Sequence, residues 1–123
     1  MNRAFTNILC ADVKTSARFY ENMLGMTEHG DFGWFILLGH PTMPGFELGL
    51  LDQSHDSVPG ALAGLAPGII LTFVVADVAE YHDRAVQIGA QIIQAPVALP
   101  YGQTRLLLRD PAGTIVDISS PTR

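Results

Sequence analysis

Residues 4–25 read AFTNILCADVKTSARFYENMLG, and residues 69–89 read IILTFVVADVAEYHDRAVQIG. Each is a short apolar run, then Ala-Asp-Val, then a segment with apolar residues three and four apart, then glycine. In the first, Val13, Ala17, Tyr20 and Leu24 form one stripe of a helix. Asp12 offers an N-cap oxygen and Gly25 a left-handed stop. In the second the stripe is Val78, Tyr81, Ala85 and Ile88, ended by Gly89. The spacing of Asp77 and Glu80 predicts a capping box. A motif that returns after 65 positions, Ala11-Asp12-Val13 and Ala76-Asp77-Val78, makes the chain an internal duplication.

Working outward, each helix is followed by three strand signals. After the first come 26–32 (MTEHGDF) and 34–39 (WFILLG), with a turn at 31–33. The segment 40–45 (HPTMPG) breaks the pattern with two prolines, and 46–51 (FELGLL) resumes it. After the second helix come QIIQA, QTRLLLR and TIVDIS. Asp110-Pro111-Ala112-Gly113 joins the last two as a tight turn, with proline where φ near −65° is wanted and glycine where φ is positive. Asp110 is therefore a turn-forming acid. The expected architecture is α+β, two tandem βαβββ modules. Module one covers about residues 1–52, a Gly/Pro/Ala/Ser-rich linker about 53–68, and module two about 69–123.

Composition bounds the partners. Apolar residues make up 48% and charged residues 15%, which fills a core and argues against disorder. The net charge is −5 and the seven Lys and Arg are scattered, so nucleic acid is not expected. No apolar run reaches the roughly 20 residues of a membrane span, and the N-terminal run lacks a signal-peptide core. A cytoplasmic protein is expected. The single cysteine, Cys10, lies in an apolar run and reads as a buried small hydrophobe.

The chain resembles the vicinal oxygen chelate superfamily, which includes glyoxalases, bleomycin-resistance proteins and extradiol dioxygenases. The resemblance is carried by ADVKTSARFYENMLGM (11–26), by RDPAGTIVDI (109–118) and by PYGQTRLLLRD (100–110). It implies two βαβββ modules forming an open, cup-shaped mixed sheet with helices outside. It implies a small molecule held in the cup, and a symmetric homodimer. In metal-dependent members four positions reach a divalent ion. Carried onto this chain, two fall on Phe5 and Ile70, seven residues before Asp12 and Asp77; one falls on Asp117, seven after Asp110; the fourth best matches Glu47.

Two of those four are hydrocarbons, without N or O donors. The histidines, His29, His40, His55 and His82, read as lying in turns, linker or helix. No cofactor is therefore expected; a divalent metal on Glu47 and Asp117 is the disfavoured alternative. The metal-free, sequestering members are the nearer comparison. Alternation groups Phe5, Asn7 and Leu9, and separately Ile70, Thr72 and Val74. It also sets Arg105 and Leu107 on one face, which the resemblance turns inward. Candidate ligand contacts are thus Phe5, Asn7, Leu9, Trp34, Glu47, Ile70, Thr72, Tyr101, Arg105, Leu107 and Asp117. Two carboxylates facing each other raise each other's pKa unless a cation intervenes, and Arg105 is the candidate. Equally, Asp117 and Arg105 are solvated charges at the mouth. Whether the protein is an enzyme stays open. As a lyase, isomerase or dioxygenase it would use Glu47 and Asp117 as catalytic residues, by metal ligation or as general base.

Overall fold

The computed structural model describes residues 1–64 and 68–123. The predicted linker includes residues 65–67, which lie outside the described residues. The chain forms two compact units, Met1–Leu65 and Ala66–Arg123. Among the described residues each holds a four-stranded mixed sheet and one α-helix, in the order strand, helix, strand, strand, strand, and the first also has a short 3-10 helix at Gly60–Leu62.

In the first unit β1 (Thr6–Cys10) leads into α1 (Val13–Leu24), then β2 (Thr27–Asp31), β3 (Phe35–His40) and β4 (Met43–Asp52). The sheet order is β1-β4-β3-β2, with β1 parallel to β4 and the other pairs antiparallel. Asp12 caps α1 as its sequence position requires: Oδ1 accepts from Thr15 N at 3.1 Å and Oδ2 from the Thr15 hydroxyl at 2.8 Å. Gly25 ends the helix at φ 67°, where a Cβ would be strained. The apolar stripe of α1 meets the buried face of the sheet. Tyr20, Leu38, Leu48 and Leu50 are wholly buried there, each removing roughly 1.5–3 kcal/mol worth of apolar surface from water. Cys10 is buried among them, as expected.

The strand predicted as 46–51 is longer, Met43–Asp52, and runs through Pro44. Pairing with β1 begins only at Leu48, so Pro44 lies where β4 has no neighbour on that side. A missing N–H is tolerated at such an edge. The histidine assignment is also corrected: His29 is on β2 and His40 on β3. His40 ties the sheet to α1, with Nε2 2.9 Å from Leu24 O.

The second unit repeats the plan: β5 (Ile70–Val74), α2 (Val78–Gln87), β6 (Gln91–Ala98), β7 (Gln103–Arg109) and β8 (Ile115–Pro121), in the order β5-β8-β7-β6. Leu106, Leu108, Val116 and Ile118 are fully buried, on the face that carries α2 with its buried Val78 and Ala85. The β7–β8 turn forms as read, with Gly113 N donating to Asp110 O at 2.9 Å and Gly113 at φ 93°. Thr114 N donates to the buried Asp110 carboxylate at 2.7 Å. Among the described residues Asp77 caps α2, but the predicted box does not form, because the amide it holds is the second of the helix and not that of Glu80. Asp77 accepts from Ala79 N, but Glu80 pairs with Arg84 one turn on, at 2.9 Å.

Candidate functional site

In each unit one face of the sheet is covered by the helix, and the chemistry collects on the other. On the first unit that face is built by alternation: Phe5, Asn7 and Leu9 from the first strand and the residue before it, Glu47 and Gly49 from β4, Phe35, Leu37 and Gly39 from β3. Glu47 is the centre of its polar part. Arg3 chelates it, with Nε 2.6 Å from Oε1 and Nη2 2.8 Å from Oε2. His29 Nδ1 lies 3.2 Å from Oε2. The Glu47 side chain keeps 14% of its surface accessible, against 55% for Arg3. The Arg3 hydrogen bonds, with a smaller contribution from His29, hold the Glu47 carboxyl down to about 2.

Two glycines make this arrangement fit. Gly39 is the β3 partner of Glu47, and a Cβ on it would lie 2.0 Å from the His29 ring. The ring therefore lies across bare backbone and reaches the neighbouring carboxylate. His29 falls at a bulge between Glu28 and Gly30 of β2. Gly49 plays the same part for Asn7: a Cβ there would lie 2.1 Å from Asn7 Oδ1 and 2.8 Å from the Phe35 ring.

An aromatic string borders the acid. The Arg3 guanidinium is 5.1 Å from the Phe5 ring centroid, and Phe5 is 6.5 Å from Phe35. Phe35 in turn contacts Phe32 and Trp34 at 6.3 and 5.8 Å. Trp34 stacks on His55 at 3.8 Å and 9°. Trp34 thus joins this face through Phe35, while Ile36, two residues on, is buried beneath α1.

On the second unit Ile70, Thr72, Arg105, Leu107 and Asp117 share the face away from α2. Thr72 Oγ1 donates to Asp117 Oδ2 at 3.1 Å, and Ser119 Oγ donates to Oδ1 at 2.5 Å. The acid on this apolar strand is thus held by hydroxyls of its own face. Arg105, the candidate counter-cation, donates from Nη2 to Gln94 Oε1 at 3.2 Å. Among the described residues, the buried Arg105 Nε and Gln103 Oε1 have no hydrogen-bond partner. Tyr101 stands 69% exposed in the β6–β7 turn.

The cation at Glu47 is Arg3, and its companion is His29; neither is among the site residues that the sequence suggests. The available signal was the pair of glycines inside strand patterns, at 39 and 49, since such glycines mark close approach. Among the described residues no group of three or more His, Cys, Asp or Glu gathers as a metal site, and no helix is long and apolar enough to cross a membrane.

Comparison with known proteins agrees with this architecture. A glyoxalase/bleomycin resistance protein/dioxygenase family enzyme from Burkholderia phytofirmans PsJN is similar, with TM-score 0.81 and 20% identity over 95% of this chain and 96% of its own. A glyoxalase-related enzyme from Fulvimarina pelagi gives 0.78 and 23%, over 98% and 88%. A lactoylglutathione lyase from Agrobacterium tumefaciens gives 0.71 and 18%, over 98% and 94%. At these identities the likeness shows the fold alone. No curated protein sequence matches the chain. The family profile matches residues 3–118, and the chain belongs to the Glyoxalase/Bleomycin resistance protein/Dioxygenase superfamily.

Proposed function

We propose that this superfamily member binds a small, largely apolar molecule without a metal, as a sequestering or resistance-type protein. The observation that carries the reading is the chelation of both Glu47 oxygens by Arg3. A divalent ion fits this donor set poorly. In the first unit Phe5 supplies no donor and an ion at Glu47 must displace a bidentate guanidinium; in the second Ile70 supplies none. Asp117 already accepts from Thr72 and Ser119. The same facts weigh against the alternative, a lyase, isomerase or dioxygenase. A carboxylate with its pKa near 2 is a weak general base at neutral pH. What remains is an apolar and aromatic surface with few polar anchors, the composition of a small-molecule site. A cytoplasmic location and a homodimeric state belong to the same proposal.

Metal analysis of protein purified without chelators tests it. The expected content of zinc, manganese, iron or nickel is far below one ion per chain. A tightly held transition metal at one per chain overturns the reading.

A further inference from the structure

The geometry points to Arg3 as a tethered stand-in for the ligand: the Glu47 face takes a planar N–H-donating cation, an amidinium or guanidinium on an aromatic body, which displaces Arg3. This inference rests on the metal-free binding reading and names the ligand's chemistry. The Arg3 guanidinium makes the contacts such a cation would make. It forms two parallel hydrogen bonds to one carboxylate, at 2.6 and 2.8 Å, and lies 5.1 Å from the Phe5 ring centroid. The receptor is more fixed than its occupant. Glu47 lies within β4 beside His29, its side chain 14% accessible, and Gly39 gives the His29 ring its seat. Arg3 lies three residues before β1 begins, its side chain 55% accessible. A free cation that offers Glu47 the same two N–H donors can take the place of such a side chain, which a metal ion, having no N–H, cannot do in kind. The apolar body of that molecule has Phe5 and Phe35 to lie against, 6.5 Å apart. Phe5 stays 42% exposed with Arg3 in place. The arm therefore competes with the ligand and lowers its apparent affinity to the intrinsic value multiplied by the fraction of time the site is open.

The test uses the full-length protein with benzamidine as probe and benzamide as its uncharged counterpart. Binding is followed by calorimetry and by the His29 ring resonances. Arg3→Ala should bind benzamidine about tenfold more tightly than wild type, the factor set by the closed fraction. Glu47→Gln, in either background, should lose the preference for benzamidine over benzamide. Circular dichroism checks that each variant is folded, and Arg3→Gln supplies a second arm variant. Equal affinity of wild type and both Arg3 variants overturns the inference, as does shift of resonances elsewhere with His29 unmoved. Benzamide binding as tightly as benzamidine also overturns it, while leaving metal-free binding of apolar molecules in place. Stoichiometric metal in the purified protein would instead overturn the underlying reading.

Discussion

Glu47 shows how a residue's neighbours set its chemistry. An acid on a strand is expected to titrate near 4.5, yet chelation by Arg3 and contact with His29 bring this one to about 2. Between those two values the folded protein holds fewer protons at Glu47 than the unfolded chain. The stabilisation is therefore complete above pH 4.5 and is lost as pH falls towards 2. Urea unfolding of wild type and Glu47→Gln over this range should show a stability difference that is flat above pH 5 and narrows below 4.5. A difference that ignores pH would mean the carboxylate has no such partners. The sequence marked Glu47 and Asp117 but not what surrounds them. Arg3 lies outside every periodic segment, and its contact spans 44 positions, so neither spacing nor alternation announces it. His29 is placed by a bulge, which shifts register in a way that counting by twos cannot follow.

The elements were legible where their causes are local. Both helices follow from a cap, a stripe and a glycine within about fifteen residues, and the Asp-Pro-Ala-Gly turn from four. Asp12 illustrates the strength of such a signal, since its two oxygens hold both the backbone and the hydroxyl of Thr15. Asp12→Ala should cost about 1 kcal/mol of unfolding free energy, within the usual 0.5–2 for caps, and Asp12→Asn much less. Chemical denaturation reads both; equal losses would place the effect outside the cap. Legibility failed where the cause lay on another strand. Pro44 reads as a break, and only the late start of β1 pairing shows why the strand passes through it. Glu80 likewise has two good local partners, and its carboxylate bonds Arg84 rather than completing the box.

For the molecule as a whole, the duplication visible at Ala11-Asp12-Val13 and Ala76-Asp77-Val78 does return as two sheets of identical strand order. Both leave apolar side chains uncovered: Phe5 at 42% in one unit, Ile70 and Val74 at 55% and 70% in the other. Surface of this kind is what the proposed ligand or second copy would cover. Light scattering at micromolar concentration should give about twice the 13.3 kDa of the chain, whereas a steady monomer mass would refute the homodimer. The parallel pairing of first and last strands has a further consequence during synthesis. Thr6 leaves the ribosome early yet pairs with Leu48, and Ile70 must wait in the same way for Ile115. Until then Ile8 and Cys10, or Leu71 and Phe73, are carried on a nascent chain whose closing strand does not yet exist. A translational pause before residue 52 or residue 121 would lengthen that exposure and give chaperones their longest opportunity to act.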